Sequence, residues 1–152
     1  LGDAWHAGTP AQYFAKGLWG NVVSTGLKSY SVGFSFGALN PNTSHLQNIY
    51  SGNYPYWLAV HNYTRLGTTH IDDAGLQMRD MDTKLKAAGI YAEYILGEAY
   101  YNDAQEAQSL WNNAAPYMSI RYLLQWPIQG TPNCMVDVAP PTAYNNYHLN
   151  HW

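Results

Sequence analysis

Two stretches of this chain, Tyr56–Tyr63 and Ile90–Glu98, are apolar at odd and even positions alike. A strand with that pattern must be covered on both faces, which is the condition of a parallel sheet flanked by helices. Ser119–Trp126 reads as a further strand, and Tyr30–Ala38 alternates large and small residues with period two. Ser31, Gly33, Ser35 and Gly37 form its small face, which lets another element approach closely.

Helix signals fall between these strands. Thr9-Pro10-Ala11-Gln12 reads as N-cap, proline at the first helical position and Gln at the third, a capping box. The helix is expected from Pro10 to about Lys28, with Tyr13, Phe14, Leu18 and Val22 as its apolar face and Gly26 near its stop. Thr43–Tyr50 is expected to hold a short helix. Asp72 or Asp73 caps the next one, whose stripe is Met78, Met81, Leu85 and Ala88 and whose end is Gly89. Asp82 and Lys86 on it are expected as an exposed i,i+4 pair. Asp103 and Glu106 open a last helix that buries Ala104, Ala107, Leu110, Trp111 and Ala114, with Pro116 beyond it.

The expected fold class is therefore α/β, built from parallel βα repeats with right-handed crossovers. Four strands with flanking helices make either a small open sheet or half of a (β/α)8 (TIM) barrel. A free half barrel leaves two apolar strand edges unpaired, so that reading implies the missing barrel half or a homo-oligomer. Residues 1–126 form the expected βα-repeat domain, and 127–152 an irregular Pro/Asn/Tyr-rich segment packed on it.

Composition removes several function classes. Seven Lys and Arg against ten Asp and Glu give a net charge of −3, and the basic residues are scattered. Such a chain offers no footprint for a nucleic-acid backbone. No apolar run approaches the roughly 18 residues of a membrane span. The single Cys134 excludes an intrachain disulfide framework and a multi-Cys zinc site, and the six His are not clustered as metal ligands. No phosphate loop, nucleophile elbow or cofactor motif is present, so no cofactor is expected. The start, LGDAWHAG, has neither a basic region nor an apolar run after it, which fits a trimmed chain. Charged residues are 11% of the chain, against 14 Tyr and 6 Trp. That balance suits neutral ligands held by stacking and hydrogen bonds, sugars above all.

In parallel α/β folds, function gathers where strands end and loops begin. Those positions here are Ala38–Asn42, His61-Asn62-Tyr63, Glu98 to Asn102 and Gln125-Trp126. Glu98 stands out, because a carboxylate ending an apolar strand costs free energy unless paired or functional. The alternatives are an exposed loop acid or a structural partner of Arg121. His61 is either a rim histidine bonded to a backbone carbonyl or a site residue. Glu93, earlier in the same strand, reads as structural.

The strand-end motifs resemble a known clan. Trp57-Leu-Ala-Val-His61-Asn62-Tyr63 is similar to the sixth-strand H-x-Y segment of retaining (β/α)8-barrel glycoside hydrolases, the clan of arabinofuranosidases, xylosidases and agarases. Lys84 to Ile90, followed by Ile95-Leu-Gly-Glu98-Ala-Tyr-Tyr-Asn-Asp103, resembles its seventh βα unit, in which the Glu is the nucleophile. Leu124-Gln125-Trp126 resembles the last strand, where an aromatic floors the sugar site. Leu1-Gly2-Asp3-Ala4-Trp5 before Thr9-Pro10 resembles the fourth-strand G-N-E-P motif, with Ala4 standing where the clan has its acid/base Glu.

The resemblance implies hydrolysis of O-glycosidic bonds in a poly- or oligosaccharide by a retaining mechanism. Glu98 is then the nucleophile, and His61, Asn62, Tyr63, Tyr100, Gln125, Trp126 and Trp5 bind substrate. It also implies an extracellular or periplasmic protein. Retention needs two carboxylates about 5–5.5 Å apart, and Ala4 leaves the second position without one. The alternative is a non-catalytic carbohydrate-binding or secreted assembly protein on the same scaffold.

Overall fold

The computed structural model describes residues 8–30, 33, 42–62, 65–66, 69–70, 73–99 and 104–125. The chain opens with helix α1, Pro10–Ser24, capped as its sequence implies: the Thr9 hydroxyl accepts from the Gln12 N–H at 3.2 Å. It stops four residues before Lys28. Thr25 turns its hydroxyl back onto the Asn21 carbonyl, Gly26 takes a φ of +76°, and Leu27–Tyr30 continues as a 3₁₀ turn. Gly26 adopts this φ without the Cβ clash that other residues meet.

The buried face of α1 is not the expected one. Gln12, Ala15 and Trp19 face the core, while Tyr13, Phe14 and Leu18 are 65%, 73% and 43% exposed. Two polar anchors decide the orientation. Trp19 donates its indole N–H to the Asn53 carbonyl at 2.6 Å, and Gln12 donates to the Asn48 carbonyl at 3.0 Å. Both acceptors belong to helix α2, Thr43–Tyr50, or the turn after it, and Trp19 also meets Tyr50 edge-to-face at 5.0 Å. Small Ala15 lets the helices close. Val22 is partly buried against the core.

Strand β1 follows, Trp57–His61. A small antiparallel hairpin of β2, Arg65–Leu66, and β3, Thr69–His70, sits in the connection to helix α3, Ala74–Ala87. Strand β4, Glu93–Ala99, leads to helix α4, Ala104–Ser109. A π-helical turn, Leu110–Ala114, and strand β5, Ile120–Gln125, complete the described chain. The three long strands make one parallel sheet in the order β1-β4-β5. The protein is thus α/β with a parallel sheet, and chain order equals spatial order. Both crossovers lie on one side, because α3 packs against α4 and the π turn. Of the expected strand at 30–38, Tyr30 ends the 3₁₀ turn and Gly33 donates its N–H to the Trp57 carbonyl at 2.8 Å, while the rest lies outside the described residues. A Cβ on Gly33 would meet Pro55 Cγ at 2.6 Å, so this position takes no larger residue.

The core lies between sheet and helices. Leu58, Val60, Tyr94, Leu96 and Ile120 meet Met78, Met81 and Leu85 of α3, the stripe read from the sequence. The expectation of strands buried on both faces holds for this face only. Trp57, Ala59, Glu93 and Ile95, on the other face, are half-buried, and Tyr122 is 56% exposed.

One feature expected at the surface belongs to the core. Asp82, expected in an exposed pair, is 3% exposed; it accepts from the Tyr94 hydroxyl at 2.8 Å and pairs with Lys86 at 2.6 Å. Tyr94 is the reason: its ring is buried under α3, and its hydroxyl needs an acceptor there. Burial and the Asp82 carboxylate together push the Tyr94 phenol far up. In the last helix Ala107, Leu110 and Ala114 are buried as expected, but Trp111 is half-exposed and Glu106 is buried instead.

α3 and α4 cross at very short range. A Cβ on Gly75 would lie 2.1 Å from the Ser109 carbonyl oxygen. The Gly75 N–H donates to the Ser109 hydroxyl at 2.8 Å, and that hydroxyl donates to Asp73, the N-cap of α3. Asn113 also donates to the Asp73 carboxylate. Partial burial raises the Asp73 carboxyl, but donors from Ser109, Leu76, Asn113 and Gly75 outweigh it and hold the group below its usual value.

Candidate functional site at the carboxyl edge of the sheet

Parallel strands end on a common edge, so the backbone alone decides which strand-end residues meet. Here one irregularity decides it. Val60 stands opposite Leu96, yet His61 stands opposite Glu98 rather than Gly97. On the other side of β4, Leu96 stands opposite Leu123 and Ala99 opposite Gln125. Both neighbours therefore register one extra residue in β4 between Leu96 and Ala99. This is a β-bulge, a feature that re-aims a strand and recurs beside active sites.

Its effect on Glu98 is direct. In strict alternation Glu98 shares a face with Tyr94 and Leu96, which lie under the helices. The extra residue instead gives Glu98 the register position opposite His61, with Ala99 and Gln125 paired one step further. Gly97 makes room for this. A Cβ on it would stand 3.3 Å from His61 Cδ2 and 3.4 Å from Nε2, so the imidazole lies against the backbone of β4.

Asn62 follows His61 and turns the other way. It is 1% exposed, and its amide N–H donates to the Ala74 carbonyl in the first turn of α3 at 3.1 Å. Its Oδ1 is buried without a hydrogen-bond partner among the described residues. Asn62, expected as a substrate-binding residue, thus lies inside, where β1 closes onto α3. His61, Glu98 and Gln125 come to one edge. Tyr63, Tyr100 and Trp126 lie outside the described residues, as do Trp5 and Ala4, so the structure does not place them.

The other acid of β4 has a different setting. Glu93 accepts from Trp57 Nε1 at 2.8 Å and from Arg121 Nε at 2.8 Å, at the amino end of the strand. The Arg121 guanidinium, with help from Trp57 and against some desolvation, holds the Glu93 carboxyl below its usual range. Glu93 is structural, as expected, and Arg121 is committed to it rather than to Glu98.

A groove of about 680 Å³ lies between the start of α2 and the end of α3, lined by Asn42, Thr43, Met81, Lys84 and Leu85 among others. Of the expected strand-end positions it includes Asn42, but not His61, Asn62, Glu98 or Gln125. Among the described residues no three His, Cys, Asp or Glu stand together as metal ligands, and no helix is long and apolar enough to cross a membrane.

Sequence reasoning missed the bulge and the buried amide. The bulge had a signal, since an isolated glycine inside an apolar strand often marks one. Asn62 had none: amides before a loop are common, and its burial comes from α3. Comparison with protein-family models, curated protein sequences and solved structures finds no match for this chain.

Proposed function

We propose that the carboxyl edge of this sheet is a glycan site of the retaining glycoside-hydrolase kind, with Glu98 as nucleophile. The β4 bulge carries this reading. A strand gives up regular pairing at Gly97, and Glu98 takes the register position opposite His61, one step before the Ala99–Gln125 pair. Bulges recur next to active sites, where they re-aim a strand. Arg121, the ion-pair partner that would make Glu98 structural, is occupied at the far end.

In this chemistry the Glu98 carboxylate attacks the anomeric carbon, the glycosidic C–O bond breaks, and a glycosyl ester forms. A second carboxyl group protonates the leaving oxygen and then takes a proton from the water that cleaves the ester. Ala4 stands where the resemblance puts that second group, so full turnover needs a carboxyl group from elsewhere. The partner we propose is the missing half of a (β/α)8 barrel. Single winding in chain order and a half-exposed second sheet face, with Trp57, Ile95 and Tyr122, support it. An extracellular or periplasmic location goes with a polysaccharide substrate.

The test is release of nitrophenol from aryl arabinofuranosides and xylosides, and of reducing ends from polysaccharides. Wild type and Glu98→Gln are compared in this chain and in any longer parent. Turnover that survives Glu98→Gln refutes the nucleophile assignment. Ala4 favours a second reading, a glycan-binding protein without turnover. Calorimetry against oligosaccharides separates the two, with Trp126→Ala as control: binding with no turnover in the parent selects the second.

A further inference from the structure

The residue that no structural role accounts for in full is Asn62. Its carboxamide is fixed at one end, because Nδ2 donates to the Ala74 carbonyl, which can only accept. The other end, Oδ1, is shut away from solvent and receives no donor among the described residues. Such an acceptor carries a desolvation penalty, and folded proteins rarely leave one empty. An apolar side chain of the same shape would fill the space without that penalty. The position is also special. Asn62 is the first residue beyond His61, at the edge that holds the Glu98 register position, and opposite it α3 begins.

We infer that Asn62 Oδ1 is a built acceptor for one neutral hydroxyl donor, a water molecule or a sugar hydroxyl, lodged at the base of the connection between β1 and α3. The chemistry of the guest follows from the surroundings. An anion brings no hydrogen to an acceptor oxygen. A buried cation needs a balancing carboxylate, and Asp73, the N-cap of α3, already accepts from Leu76, Ser109 and Asn113. A neutral O–H satisfies the oxygen at ordinary distance and leaves the Ala74 bond in place. Asn62 is then a positioning residue, which ties the occupant of the edge to the first turn of α3.

The water source is independent of the glycan reading; only the sugar source rests on it. The test is a crystal structure of the full chain, at a resolution that shows ordered water, alone and soaked with xylo-, arabino- and agaro-oligosaccharides. The expected result is an oxygen about 2.6–3.0 Å from Asn62 Oδ1. If it belongs to a sugar, Asn62→Leu weakens calorimetric binding of that oligosaccharide at least about tenfold. If it is water, Asn62→Leu removes the density and leaves saccharide affinity unchanged. Either outcome supports the inference. It is overturned if Oδ1 pairs with a protein donor or faces empty space in both crystals. Should Asn62→Leu fail to fold, the wild-type density decides alone. If no oligosaccharide binds, the glycan reading fails while the water outcome still stands or falls on its own.

Discussion

The crossing of α3 and α4 at Gly75 gives the sharpest test of the helix layer. Replacing Gly75 by Ala adds one methyl group where the Ser109 carbonyl oxygen is 2.1 Å away, its carbon 2.6 Å away and Asn113 Cβ 2.8 Å away. Two of these atoms are backbone, so no side chain can rotate aside. α4 has to retreat from α3 by about an ångström, since ordinary contacts lie near 3.5 Å. Overpacking of this kind costs about 1–3 kcal/mol. The retreat also loosens the Gly75 N–H to Ser109 hydroxyl bond, worth about 1 kcal/mol. Against this stands a helix-propensity gain of about 1 kcal/mol. The net expectation is a loss of about 1–3 kcal/mol, or roughly 2–12 °C in Tm for a chain of this size. Urea unfolding followed by tryptophan fluorescence measures it, with an unchanged slope. The same substitution at Gly17 or Gly20, where an added Cβ meets nothing within 4 Å, isolates the propensity term and stabilises by about 1 kcal/mol. A Gly75→Ala protein within about 0.5 kcal/mol of wild type would refute the close crossing.

Three further outcomes are expected. Trp19→Ala lowers stability by about 3–5 kcal/mol, while Phe14→Ala changes it by less than about 0.5 kcal/mol; denaturant midpoints that rank them the other way would restore the face of α1 read from the sequence. The Asp73 and Glu93 carboxyls are lowered from ordinary values of 3.8 and 4.5, so the folded state holds their protons less tightly than the unfolded chain does. Their stabilisation is complete above those ordinary values and is lost as pH falls through the folded-state values, so midpoints drop below about pH 4.5. Asp73→Asn and Glu93→Gln should each flatten that acid limb, and an unchanged limb in both counts against the two hydrogen-bonded clusters. Gly97→Ala pushes the His61 ring by a few tenths of an ångström, a small stability change of under about 1 kcal/mol. Its signature is a moved His61 ring resonance in NMR, and an unmoved one would show that the ring does not rest on β4.

Much of the helix and strand plan was legible because caps and periodicity are local. Thr9, Asp73 and Gly89 end their helices where the residue types require. Legibility failed where a partner far along the chain decides. Tyr13, Phe14 and Leu18 look like an apolar stripe, but Asn53 and Asn48 carbonyls select the opposite face of α1. Asp82 and Lys86 look like a surface pair until Tyr94 arrives beneath them. At the candidate site the strand ends could be named in advance. Their registration could not, because one additional residue in β4 exchanges Gly97 for Glu98 opposite His61.

The two acids of β4 differ in a way that electrostatics makes useful. Glu93 and Glu98 stand opposite Trp57 and His61, four steps of β1 apart, about 13 Å at the usual rise of about 3.3 Å per residue. That is well beyond the screening length of about 8 Å at physiological salt. The ion pair at one end is therefore nearly invisible to a charge at the other. One strand can carry a permanently neutralised anchor and an electrically independent edge, so the field at the edge is set by its own neighbours.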